Sequence, residues 1–452
     1  MSRFLALLLI FFITNSDDLW ARELVSDATI ANQKQNTFEF ELSNKIPVIY
    51  RRIEGNDIFE IVTAFAYGEA QLPKSKQGAL NLTLSLMSRG SKTWPKAKLF
   101  ALMEKYATGI SCGMSIETSA CSMAILQENA AELLAAYADV ILHPELDPAE
   151  AQLMRQQIEA SIKSSAQNPE TFVNELVNGI FYGPEHPYWM ASEQELAFLK
   201  QININNLAAA HREFLDQSRK VIVVVAGMPI VELKQLLEKS FSSLKQGNSS
   251  IAMPSLPIYS TKKNFAFSAR DIPTAYLRAK FRLPGVTDPD APAAGLMMRI
   301  LSEELENEIR TKRSLSYAVY AQPIAHTLGI GVIHASTSHP QETLAAIVPV
   351  IKKIRNEKLS AVALERYKTV FATGYFLSIE DHSSLANGIA SSQLYFGSND
   401  KLYQTPRDLE KVTAEDIQRI ARKFLKEFRL AIVYKAKDFN QKWSDNFFRE
   451  LD

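Results

Sequence analysis

The chain has 452 residues, room for about three domains of ordinary size or two large ones. Charged residues make up 22% and hydrophobic residues 46%, so a sizeable core is available and disorder is not indicated. Fifty Lys and Arg against fifty Asp and Glu leave no net charge, and no basic run exceeds two residues, which gives no electrostatic footprint for nucleic acid or an anionic membrane.

At the N-terminus Arg3 precedes an unbroken apolar run from Phe4 to Ile13, then polar Thr14 to Asp18 and the small residue Ala21 before Arg22. Ten apolar residues are too few to cross a bilayer. Residues 1–21 therefore read as a cleavable secretory signal, with an amphipathic or uncleaved anchor as the alternative. The expectation is a periplasmic or secreted chain with no membrane span after cleavage.

From Gly78 to Ser91 the leucines Leu80, Leu82, Leu84 and Leu86 alternate, which by periodicity alone reads as a strand. Cys112 and Cys121, the only cysteines, flank an alternating segment with a polar middle at Glu117, Thr118 and Ser119. Folded as a hairpin about Ile116 and Glu117, the segment sets them opposite each other, where a cross-strand disulfide or two small buried thiols would fit equally. Neither their spacing nor their number makes a zinc cage.

An internal repeat organises the chain. Residues 206–227 run parallel to residues 416–436 at an offset of 210, with Leu207 on Ile417, Phe214 on Phe424 and Leu215 on Leu425. Each copy is a helix followed by an apolar strand. Between the copies, residues 245–262 have the composition of a linker, with Gly247, Asn248, Pro254 and Pro257. The expected fold is α+β, with two similar domains at 36–244 and 263–452. Each is a mainly antiparallel sheet with helices on one face. No Gly-rich phosphate loop and no G-x-S-x-G elbow occurs. No two of the seven histidines stand four apart, so a surface or loop role is expected for each.

In the second half Met297, Ile300, Leu301, Leu305 and Ile309 recur at helical steps, Arg310 closes the face, and Leu315 to Ala321 alternates as a strand carrying Tyr317. The Arg310 to Tyr317 stretch, R-T-K-R-S-L-S-Y, resembles the second-half motif of the pitrilysin/insulinase-type zinc peptidases. Gly78, Gly90 and Ser91 resemble the glycine frame around that family's H-x-x-E-H motif, which makes 78–91 a helix. Where the frame wants His, Glu and His, this chain has Asn81, Leu84 and Ser85, and the third ligand falls at or near Ser161. None of these replaces imidazole or carboxylate toward zinc.

The resemblance therefore implies a chain that holds no metal or other cofactor and is inactive alone. It implies a homologous partner subunit with intact H-x-x-E-H that carries the zinc, the two forming a heteromeric metallopeptidase. Arg310 and Tyr317 would grip an unfolded peptide substrate at that zinc. The alternative implied is a non-catalytic peptide-binding or scaffold protein of the same fold.

Overall fold

The computed structural model describes residues 34–252, 254, 259 and 263–451; the signal read at 1–21 and part of the 245–262 linker lie outside them. The first half runs β1 (Thr37–Glu41), β2 (Pro47–Arg52), β3 (Ile58–Phe65), α1 (Lys74–Met87), α2 (Lys96–Lys105), β4 (Ser111–Met114), β5 (Ser119–Leu126), α3 (Ala130–Leu142), α4 (Pro148–Gln167), α5 (Pro169–Tyr182), α6 (Ser192–Gln201), α7 (Leu207–Gln217), β6 (Lys220–Ala226) and α8 (Ile230–Phe241). The second runs β7 (Phe265–Ala269), β8 (Ala275–Arg282), α9 (Ala291–Leu305), a π-helical turn (Glu306–Lys312), β9 (Ser316–Ile324), β10 (Ile330–Thr337), α10 (Pro340–Asn356), α11 (Ala361–Leu377), α12 (His382–Phe396), α13 (Lys401–Glu410), α14 (Ala414–Phe424), β11 (Arg429–Tyr434) and α15 (Lys442–Leu451).

The two sheets share one topology. The first is ordered β1-β2-β6-β3-β5-β4 and the second β7-β11-β8-β10-β9. In each, the closing strand slots between the first two core strands, parallel to β2 or β7 and antiparallel to β3 or β8. Among the described residues only β1 lacks a counterpart. The 206–227 and 416–436 segments are α7-β6 and α14-β11, so the sequence repeat is a structural one.

Local chemistry sets the boundaries. Asp147 caps α4 by accepting from the Glu150 amide, with Pro148 at the first helical position. Asn168 then accepts from the amides of Glu170 and Thr171, and Pro169 opens α5, so a single residue separates the two helices. Thr413 and Asp416 form a reciprocal capping box at the start of α14.

β6 is buried along its whole length, as a run of five β-branched residues demands when both faces are covered. Ile222, Val224 and Ala226 join Leu80, Leu84, Tyr137 and Phe214 in the first-half core. Val221, Val223 and Val225 lie instead under Leu385, Ile389 and Leu394 of α12, a helix of the second half. Reciprocally α5, from the first half, lays Val173 and Val177 on Ala431 and Val433 of the second sheet. The fold class is α+β as the sequence indicates, but each sheet has helices on both faces. The second face is covered from across the seam, by helices that hold equivalent places in the repeat.

Candidate functional site

Segment 78–91 is helical up to Met87, and α1 is packed on two sides. Leu80, Leu84 and Met87 enter the sheet core, while Leu82 and Leu86 meet Ala151 of α4 and Leu207 of α7. Leu84 is fully buried, and the Ser85 hydroxyl donates 2.9 Å to the Asn81 carbonyl, one turn back. Ser161 stands exposed on α4. A core leucine, a serine bonded to its own helix and a solvent-facing serine do not make a donor set for zinc. Among the described residues no group of three or more His, Cys, Asp or Glu could hold a metal ion.

Arg310 and Tyr317 are brought together. Ile309 is buried and anchors the π-helical turn, which throws Arg310 outward. Ser314 takes a left-handed φ of 53°, and the Leu315 amide reaches back to the Ile309 carbonyl at 2.9 Å. β9 then pairs with β10 through an irregularity: Ala318 opposes Ser336 and Ser316 opposes Thr337, leaving Tyr317 as the extra residue. The Ser316 hydroxyl holds this bulge by donating to the carbonyls of Ala318 and Ser336 at 3.0 and 2.8 Å. The result is a phenol 85% exposed, with the Arg310 guanidinium 4.9 Å from its ring centroid and 2.8 Å from the Glu306 carboxylate. π-turns and bulges both interrupt regular hydrogen bonding and are common where a side chain must be re-aimed. Here they occur on either side of one short connection.

Cys112 and Cys121 pair in register on β4 and β5 and form a disulfide, with Cα atoms 4.1 Å apart. Of the histidines expected on surface or loop, His186 lies in a loop, though buried, whereas His211 in α7 and His334 in β10 are buried within their elements. Burial pushes His186 and His334 down to about 4, helped by Lys74 and Arg278 respectively, so both rings are neutral. Ser91, Asp139 and His143 are linked, but the carboxylate sits between hydroxyl and imidazole, so the ring cannot take the serine proton.

The residue that sequence reasoning passed over is Glu117, placed in a polar turn and found 1% exposed. Its carboxylate accepts from the hydroxyls of Tyr188, Thr327 and Tyr395 and from the Thr327 amide at 3.0 Å, with His326 Nδ1 3.5 Å away. Burial alone would raise its pKa, but the nearby His326 ring and the hydrogen bonds from Thr327, Tyr188 and Tyr395 outweigh that and hold it at about 2.

The profile described as Insulinase (Peptidase family M16) matches residues 48–186, and that described as Peptidase M16 inactive domain matches residues 201–371. An uncharacterized zinc protease of Mycobacterium bovis is 21% identical over 304 residues, 64% of this chain and 68% of its own length. The uncharacterized zinc protease YmxG of Bacillus subtilis is 20% identical over 356 residues, 76% of this chain and 85% of its own. Among solved structures, a peptidase M16 inactive domain from Pseudomonas fluorescens superposes with TM-score 0.78 at 19% identity, covering 89% of this chain and 98% of that one. The periplasmic protease PqqL of Escherichia coli gives 0.74 at 16% identity, covering 89% of this chain but 46% of the longer protein.

Proposed function

Because this chain belongs to the insulinase/pitrilysin peptidase family and lacks its catalytic motif, we propose that it serves as the peptide-gripping subunit of a two-chain metallopeptidase. The partner would be a homologous chain with intact H-x-x-E-H, and the zinc would be the partner's. The observation that carries this reading is the exposed Arg310–Tyr317 pair, set out on a π-turn and a bulge, while at the metal positions of α1 Leu84 is buried in the core and Ser85 bonds back to its own helix.

The chemistry follows from the side chains. An extended peptide offers carbonyl oxygens that the planar guanidinium fork of Arg310 can hold two at a time. Tyr317 carries the other function: its hydroxyl donates toward the carbonyl oxygen that becomes negative as the peptide bond is attacked. Glu306 and the aromatic face keep the guanidinium beside the phenol until a substrate competes for it. Unfolded chains are the fitting substrates, since a folded protein has most of its main-chain carbonyls tied up in its own helices and sheets. The periplasmic setting of PqqL and the disulfide agree with a periplasmic location. No helix among the described residues is long and apolar enough to cross a membrane.

The test is reconstitution. The chain alone should not cleave an unfolded peptide, and mixing with an H-x-x-E-H homologue should give activity. Arg310→Ala or Tyr317→Phe in the mixture should each lower kcat by ~10²-fold to 10³-fold. Mixtures that keep full rate would favour a scaffold role instead, in which the Glu306–Arg310–Tyr317 contacts merely tie down the turn.

A further inference from the structure

Glu117 lies at the meeting point of the two halves. It occupies the turn of the β4–β5 hairpin, and Thr327 and His326 occupy the loop of β9–β10, the equivalent hairpin in the second half. Tyr395 comes from α12, the second-half helix that covers the first sheet, and Tyr188 follows α5, the first-half helix that covers the second. One carboxylate of the first hairpin thus collects donors from the second hairpin and from both exchanged regions. Both loops are pressed close: a Cβ on Gly68 would lie 2.6 Å from the Ser115 carbonyl, and one on Gly285 would lie 2.0 Å from the Thr327 carbonyl.

A buried carboxylate is tolerated only while its donors are in place, because an unpaired one has no water to turn to. Displacing the hairpin tip by the length of a hydrogen bond therefore costs the whole contact, not a fraction of it. Yet the strand that carries this tip is the shortest in its sheet. β4 has four residues, pairs on one side only, and keeps no fully buried side chain. The Cys112–Cys121 disulfide crosses this pair, five residues before Glu117 and four after it. Cys121 is sealed in the first-half core, so the bond fastens β4 to a fixed point.

We propose that the disulfide and Glu117 work as one lock: oxidising the two thiols stiffens the hairpin that delivers Glu117 across the seam, so the contact between the two hairpin loops is held closed only when the bond is formed. Bond formation removes two electrons and two protons from the thiols, passed to a disulfide-bearing oxidant by exchange. A dithiol reductant returns them. In the reduced chain the halves stay folded and joined through α5 and α12, with the seam loosened around the two hairpin loops. The lock is independent of the role given to Arg310 and Tyr317.

Hydrogen exchange of the full chain, oxidised and after complete reduction by dithiothreitol verified by thiol alkylation, tests this. Reduction should speed exchange at least tenfold at 115–118, at 326–328 and in α12, with β6, β8 and β11 unchanged. The double variant Cys112→Ala, Cys121→Ala should reproduce this without reductant. Glu117→Gln should release the same segments with the disulfide intact, and Tyr395→Phe should do so more weakly should Glu117→Gln not fold. The lock is overturned if 326–328 and α12 keep their protection in the reduced chain. It is equally overturned if exchange rises throughout both sheets, since the bond would then be holding the fold as a whole.

Discussion

Leu84 shows at single-residue scale how a position of the degenerate H-x-x-E-H frame has been turned over to packing. The side chain is fully enclosed in the first-half core, and Leu84→Ala should cost about 2–5 kcal/mol in urea unfolding. Two buried carboxylates on the seam should leave opposite marks on the pH dependence of stability. Glu117 is held at about 2, below the free value of 4.5, so its contribution is complete above pH 4.5 and fades as the pH falls toward 2. Glu60, on β3 against the start of α12, is pushed up to about 7 by burial; Ser383 opposes the shift and Asp381 adds to it. The native state then holds a proton that the unfolded chain releases above pH 4.5, so stability declines as pH rises from 4.5 to about 7. Glu60→Gln should flatten that decline in urea midpoints measured across the window. A variant whose midpoints fall in parallel with the wild type would clear Glu60 of the effect. Neither group was legible beforehand. The hydroxyl and amide donors to Glu117 are 71, 210 and 278 residues away, so a polar triplet that looks like a solvated turn gives no hint of them.

At the scale of elements, the exchanged helices should matter as much as the central ones. Ile389→Ala on α12 should cost about 2–5 kcal/mol although α12 covers the sheet of the opposite half. Thr413→Ala, which removes one side of the α14 capping box, should cost about 1 kcal/mol in the same assay. Helix α1 explains a limit of pattern reading. Its leucines alternate because the helix is packed on two sides, by the sheet and by α4 with α7, which erases the 3.6-residue period of a one-sided helix. The glycine frame, not the periodicity, indicated a helix. α7-β6 and α14-β11 were legible because each joins a one-sided helix to a continuous apolar strand. What periodicity cannot carry is a second partner: five β-branched residues in β6 require cover on both faces but do not say which distant helix provides it. The Arg310–Tyr317 spacing was readable as a motif, whereas the π-turn that extends α9 and the bulge in the β9–β10 pairing, which together expose it, leave no periodic trace.

For the molecule as a whole, the matched strand orders make one chain a doubled unit whose halves have diverged. The first copy has filled its metal helix with leucine, and the second presents the guanidinium and phenol. The exchange of α5 and α12 has a consequence for anyone who severs the polypeptide. A nick between residues 245 and 262 would not yield two autonomous proteins, because each fragment would leave the outer surface of one sheet bare and carry away the helix that clothes the other. Expressed singly, the fragments should aggregate; expressed together, they should find one another and rebuild the parent, a split-protein pair already encoded in the topology.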